Sequence, residues 1–406
     1  MSFDIFDQAA LKIHHNPATL GPADYPAALQ SVLGVDDCTA AKKIITGWQG
    51  YSPSPLTSLS DLATALDIDQ ILYKDEAQRF GLGSFKALGG AYAVLCLLQQ
   101  QIRKLTGKSI GDHELASGNC RELTAGITVI TATDGNHGRS VAWGAKKFGC
   151  PCKIYMHAGV SKGRAAAVEE LGAEVVWVEG NYDASVRAAA NDASKSGWFV
   201  VSDTSYDGYM DLPRNVMAGY SVMTSEIIDD LAGKALPSHV FLQGGVGGLA
   251  GAVCAHLWQA WGKERPRFIV VEPEQADCLY QSAQQGRPTA VDITEETVMA
   301  GLSCGEVSLL GWKILSQGCH DFITLDDSLV GPSMRLLASG EAGNRIVAGE
   351  SAVAGLAGAI AACRQTGLRN ALGLDKNSRI MVIGTEGATD PAIYQSLVGQ
   401  HPDSVL

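Results

Sequence analysis

The chain has no Cys-x-x-Cys pair, no block rich in lysine and arginine, and no apolar run long enough to span a membrane. Each absence removes a class of function. The ten cysteines are scattered along 406 residues. Cys150 and Cys152 flank Pro151 too tightly for a standard zinc knuckle. His14–His15 lacks ligand-type partners nearby and reads as a surface pair, so no metal is expected. Scattered thiols suit a reducing compartment. The stretch MSFDIFDQAALKIHHNP has no basic-then-apolar leader pattern, so the expected location is cytoplasmic. With 31 basic and 43 acidic residues the net charge is -12, which offers no footprint for nucleic acid and argues for solubility. Only 18% of residues are charged and 46% are hydrophobic, which argues against long disordered regions and supplies core for two or three domains.

Glycine is plentiful, at 46 residues, and many lie beside apolar runs. Those runs are QILYKDE, GITVITAT, CKIYMH, AEVVWVE, WFVVSD, HVFLQGG, RFIVVEP, DFITLDD and RIMVIGTEG. Alanine-rich segments with helical spacing separate most of them, such as FKALGGAYAVLCLLQQ, GRAAAVEELG and LAGAVCAHLWQAWG. This alternation predicts an α/β fold with open, mainly parallel sheets flanked by helices. An eight-fold barrel competes, but the glycine clusters are too unevenly placed for it. The stretch RKLTGKSIGDHELASGNCRELTAG is polar and broken, and reads as an insertion. A compact βαβαβ pattern follows, from about residue 126 to 203. The expected division is a large domain of 1–88 and 206–406 and a small domain of 89–205.

Three glycine-flanked sites carry candidate chemistry. In GLGSFKALGG, Lys86 opens an apolar helix. Near the positive end of the helix dipole, and partly buried, its amine would be nucleophilic; the plain alternative is a solvated lysine capped by Ser84. In QGGVGGLAGA, Gly244, Gly245, Gly247 and Gly248 precede a helix and bare main-chain N–H groups toward an anion. The same turn carries a weak dinucleotide fingerprint with Ala250 in its third place, for which Glu272 would be the ribose-binding acid. In TATDGNHGRS, Asp134, Asn136 and His137 sit on a strand-to-helix turn, where simple capping explains one of them but not the set.

Taken in order, GSFK, GNHG, GGVGGLAG and GTEG resemble the motifs of the fold type II, or tryptophan-synthase-β-like, family of pyridoxal-phosphate enzymes. Each motif alone is modest, whereas all four in order are specific and extend from about residue 50 to 395. The resemblance implies a two-lobed fold and a homodimer. It also implies that Lys86 holds pyridoxal 5'-phosphate as a Schiff base, with Phe85 or a neighbour near the ring. Asn136 would contact the ring's 3-oxygen. Gly244, Gly245, Val246, Gly247 and Gly248 would cup the phosphate, with Val246 departing from all-glycine versions. Thr385 would face the pyridine nitrogen.

Serine/threonine dehydratases of this family usually carry serine before GNHG, whereas here Asp134 stands there. That detail, with MAGLSCGEVS and IGTEGATD, resembles the branch of ammonia-lyases that cleave 2,3-diaminopropionate to pyruvate and two ammonia molecules. Such a substrate carries a β-ammonium where serine carries a hydroxyl, which gives a carboxylate a purpose. Asp134 would pair with that cation, or serve as base for the D isomer while Lys86 serves the L isomer. Asp203 is a candidate second acid, with a turn cap as its alternative. Asp207 is a weaker candidate, and His137 reads as an orienting residue. The rival activity is serine or threonine dehydration on the same fold. No nucleic-acid or membrane partner is expected.

Overall fold

The computed structural model describes residues 1–133 and 135–405. Asp134 therefore lies outside the described residues. Eleven strands form among those described. The first three are β1 (Lys12–His15), β2 (Leu56–Ser58) and β3 (Gln70–Asp75). β4 (Val129–Ala132), β5 (Cys152–His157), β6 (Glu174–Val178) and β7 (Phe199–Val200) follow. The last four are β8 (His239–Gln243), β9 (Arg267–Pro273), β10 (Asp321–Leu325) and β11 (Arg379–Gly384). β3 to β11 coincide with the nine apolar runs. Among the described residues no helix is long and apolar enough to cross a membrane.

The chain divides into two compact units. One comprises 36–52 and 79–222. It holds the parallel sheet β6-β5-β4-β7. Its longer helices include α1 (Lys86–Thr106), α2 (Asn136–Phe148), α3 (Lys162–Glu169), α4 (Tyr182–Ser196) and the start of α5 (Asp211–Asp230). Parallel neighbours need crossover connections, and α2, α3 and α4 supply them. Local chemistry marks their ends. Ser161 caps α3 by accepting from the Arg164 N–H, and Asn181 caps α4 by accepting from the Ala184 N–H. Gly149 and Gly197 end α2 and α4 in left-handed backbone, at φ +75° and +69°.

The two helices that begin at Lys86 and Asn136 pack closely through small residues. A Cβ on Gly90 would sit 1.9 Å from the Ser140 Oγ, and one on Gly144 would sit 2.7 Å from the Ala91 Cα. The second neighbour is main chain and cannot rotate away. Gly144→Ala should therefore lower the stability of this unit by about 1–3 kcal/mol, the usual cost of overpacking. Gly367→Ala is the control, because nothing lies within 4 Å of that Cβ position. Urea midpoints of the two variants should separate clearly, and equal midpoints would refute the close-packing argument.

The other unit comprises 1–35, 53–78 and 223–406, with sheet order β1-β10-β9-β8-β11-β3-β2. The five inner strands are parallel, and the two short edge strands are antiparallel to their neighbours. β8 is buried at every position, as a strand covered on both faces must be. Helices α6 (Gly248–Trp261), α7 (Cys278–Gln285) and α8 (Ala354–Arg364) belong to this unit. Asp321, fully buried at the head of β10, joins three strands. It accepts from the Arg267 Nε at 2.6 Å and the Arg267 Nη2 at 2.9 Å on β9, and it pairs with the His15 ring on β1.

Candidate active site

In the 79–222 unit, the helix-opening lysine is held by rings and an acid. Lys86 is the first residue of α1, with its N–H donating to the Ser84 Oγ at 3.3 Å. Its Nζ lies 5.4 Å from the centre of the Phe85 ring and 5.8 Å from that of Tyr220. The same Nζ forms an ion pair with the Asp203 Oδ2. Lysine and aspartate are 117 residues apart, and neither is fully exposed. Burial pushes the Asp203 carboxyl up, but the Lys86 ammonium and the His137 ring outweigh it and hold the acid well below the usual carboxylate range.

His137, the second residue of α2, donates from Nε2 to the Val201 carbonyl at 2.8 Å. Its Nδ1 stands 3.9 Å from the Asp203 Oδ2. Burial lowers the imidazole below its ordinary value; the Asp203 charge opposes this and the Lys86 charge adds to it. A neutral ring results at neutral pH, tying the start of α2 to the end of β7. Tyr209 holds the loop that carries Asp203. Its hydroxyl donates to the Val200 carbonyl at 2.8 Å and accepts from the Ser202 N–H at 3.0 Å. Asn136 opens α2. Asp207 is exposed on the same loop.

A second lysine tests the choice of nucleophile. Lys74 is fully buried on β3, with its Nζ 2.8 Å from the Glu226 Oε2 and donating to the Ser54 carbonyl at 2.7 Å. That amine is spent inside a buried network, which leaves Lys86, partly exposed, as the reactive candidate.

In the other unit, the glycine turn joins β8 to α6. Gly245 and Gly247 adopt left-handed backbone, at φ +59° and +89°. A Cβ on Gly244 would lie 2.3 Å from the Glu272 Cγ. A second segment packs on the turn: the Ser308 N–H donates to the Val246 carbonyl at 2.8 Å, and a Cβ on Gly311 would lie 2.6 Å from the Gly247 carbonyl oxygen. The first main-chain bond of α6 runs from the Gly251 N–H to the Gly247 carbonyl, so the N–H groups of Gly248, Leu249 and Ala250 have no partner inside the helix. A tight, side-chain-free turn at the start of a 14-residue helix fits a phosphate. The tight turn also explains why only Val246 among these positions carries a side chain.

Thr385 follows β11, the strand beside β8, and is buried. It therefore lies at the same carboxyl end of the sheet as the glycine turn, the end where parallel sheets bind ligands. Gln243, the last residue of β8, links the two strand ends by donating from Nε2 to the carbonyls of Ile383 at 2.6 Å and Ala352 at 2.8 Å. Sequence reasoning passed over Gln243, Tyr209 and Tyr220. The one signal for Gln243 was a polar residue closing an apolar strand. Glu272 does not serve a dinucleotide ribose. It turns inward and accepts from the main-chain N–H groups of Leu279 and Tyr280.

The family model described as pyridoxal-phosphate dependent enzyme matches residues 47–386. The chain belongs to this family. Among its relatives, the diaminopropionate ammonia-lyase of Escherichia coli K12 is 39% identical over 360 residues, covering 87% of this chain and 89% of that protein. The crystal structure of the Escherichia coli diaminopropionate ammonia lyase in complex with an aminoacrylate–PLP azomethine reaction intermediate superposes with a TM-score of 0.85 at 35% identity. It covers 96% of this chain and 97% of that one. The same enzyme in complex with D-serine gives a TM-score of 0.84 at 34% identity, covering 98% and 99%. As a member of this family the chain uses pyridoxal phosphate, and its glycine turn and its helix-opening lysine fit that cofactor chemically. The α/β architecture expected from sequence is the family's fold.

Proposed function

We propose that this chain catalyses the α,β-elimination of 2,3-diaminopropionate, both D and L isomers, with water, to pyruvate and two ammonia molecules. Lys86 would hold pyridoxal phosphate covalently, with Phe85 beside it. Asn136 and Thr385 would serve the ring's oxygen and nitrogen, and Gly244 to Gly248 the phosphate. When bound, the cofactor supplies an electron sink for the charge left as the Cα–H bond breaks. A hydroxyl at Thr385 does not force a proton onto the ring nitrogen, which favours elimination over transamination.

The observation that carries the reading is the Asp203 carboxylate set against the Lys86 amine. That acid is already fitted to an alkylammonium ion. Once Lys86 is committed to the cofactor, Asp203 is available to a substrate ammonium, and diaminopropionate has one on Cα and one on Cβ. Facing an ammonium, as it faces Lys86 here, its carboxyl is held well below the usual range, which suits a charge partner. Asp134 would pair with the β-ammonium, or take the D isomer's Cα proton. The Escherichia coli relative's name and its complex with D-serine support both the substrate and the tolerance of a D amino acid.

The rival reading is a serine or threonine dehydratase, for which neither carboxylate has an ammonium on Cβ to meet. Counting products separates them. Diaminopropionate should give ammonia and pyruvate in a ratio of two to one and be turned over much faster than serine. Faster turnover of serine, at one to one, would favour the dehydratase. A cytoplasmic homodimer is part of the same proposal, as is a division into 1–88 with 206–406 and 89–205.

A further inference from the structure

We propose that Tyr220 is a positioning residue for the lysine base: its hydroxyl oxygen accepts an N–H of the Lys86 amine once that amine has left the cofactor, and so steadies it against the Cα–H of the L isomer. The proposal rests on the function proposed above. Tyr220 stands on α5 and is buried. Its ring is pressed onto the main chain of α1, three residues after Lys86: a Cβ on Gly89 would sit 2.4 Å from the Tyr220 Cε1. Beside it on α5, a Cβ on Gly219 would sit 2.5 Å from the Leu88 carbonyl oxygen, so the two helices meet main chain to main chain. The Phe85 ring packs against Tyr220 with centres 4.7 Å apart and planes inclined by 57°. The tyrosine is thus held firmly, with the Lys86 Nζ 5.8 Å from the centre of its ring.

The hydroxyl is the unusual part. It is fully buried and, among the described residues, makes no hydrogen bond. Such a group costs stability, so a chain that needed only a ring here would be better served by phenylalanine. The charges that act on it are those of Lys86 and Asp203. Burial pushes the phenol up, so it is neutral at neutral pH. Neutrality gives it a use that Asp203 does not have. Against Asp203 the lysine is held as an ammonium, which has no lone pair to receive a proton. With Asp203 turned to a substrate ammonium, the Tyr220 oxygen can accept one N–H of the neutral amine and leave its lone pair free. When the Cα–H bond of the L isomer breaks, its proton forms a new N–H bond at the Lys86 Nζ and its electron pair stays on the substrate carbon. The amine becomes an ammonium, to which the hydroxyl oxygen bonds more strongly, so the contact favours the transition state over the ground state. The proton of the D isomer leaves from the opposite face and gains nothing from it.

Tyr220→Phe keeps the ring and removes the hydroxyl. Its kcat on L-diaminopropionate should fall by about 10- to 100-fold, the scale of a hydrogen bond to a charged group, with KM and the turnover of the D isomer changed less than about threefold. Its thermal midpoint should equal or exceed that of the wild type, because the hydroxyl removed had no bond to lose. A variant that is slower on one isomer and no less stable is not what a merely structural tyrosine gives. Full turnover of the L isomer, equal losses on both isomers, or a clear drop in the midpoint overturns the proposal. A second measurement needs no turnover. In the Asp203→Asn apoenzyme, where the acid no longer fixes the ammonium, cyanate labelling of Lys86 is followed by mass spectrometry. Adding Tyr220→Phe should raise the labelling rate near pH 8 by about threefold or more, since the amine loses an acceptor that favours its charged form; an unchanged rate overturns the proposal. A wild type that turns over neither isomer would overturn the functional reading, and the labelling rates would still decide the role of Tyr220.

Discussion

Lys86→Ala should purify without the visible absorption of the bound cofactor and lose roughly 10⁴-fold or more in turnover, the scale seen when a covalent group is removed. The expectation follows from chemistry and placement together. Of the two lysines compared above, Lys74 is fully buried in a network with Glu226 and Ser54, whereas Lys86 lies at a helix start between two rings and an acid. Loss of activity alone would be ambiguous, because removing Lys86 also leaves the Asp203 charge without its partner. Lys86→Arg separates the two roles. It keeps a cation against Asp203 but offers no amine able to form the covalent link. Both variants should be colourless, and the arginine form should keep more of the wild type's thermal stability. A visible band that survives in either variant would remove Lys86 from its assigned role.

Asp134→Asn should divide the two isomers. If Asp134 takes the D isomer's proton, turnover of D-diaminopropionate should fall by about 10²–10⁴-fold, the usual contribution of a positioned base. Turnover of the L isomer should fall less than about tenfold, since its proton leaves from the opposite face. The test is kcat/KM on each isomer separately. Equal losses on both would leave Asp134 only the task of pairing with the β-ammonium, which does not depend on the configuration at Cα. The asparagine substitution keeps size and hydrogen bonding while removing charge, so a general collapse of the turn would show as lost cofactor binding rather than as isomer preference.

Much of the fold was legible because parallel strands covered by helices are written as short apolar runs, and β3 to β11 all coincide with such runs, even β6 and β7, which are only partly buried. β1 and β2 were not. They read Lys-Ile-His-His and Leu-Thr-Ser, too short and too polar for a pattern, and they form because the edges of a larger sheet and residues such as Asp321 hold them. Helix α5 was hidden by Pro213 near its start. Motif order pointed to Lys86, Asn136, the glycine turn and Thr385, because each stands where a strand or loop passes into a turn or helix. The partners of those residues were out of reach. Nothing local connects Asp203 with Lys86, and the spacing that made Glu272 resemble a ribose-binding acid could not reveal that its side chain turns inward.

The order of strands in the larger sheet bears on how the protein is made. β11 sits between β8 and β3, yet it is the last of the strands of this sheet to leave the ribosome. Until about residue 384 has emerged, β2 and β3 have no neighbour joining them to the rest of their sheet, and apolar edges on both sides of the gap stay open. The strands of the smaller sheet are consecutive, between residues 129 and 200, and can pair far earlier. Synthesis therefore leaves the glycine turn without the strand that follows β8 in space until about residue 384 has emerged, and a message interrupted before then yields a sheet lacking an inner strand rather than a shorter enzyme.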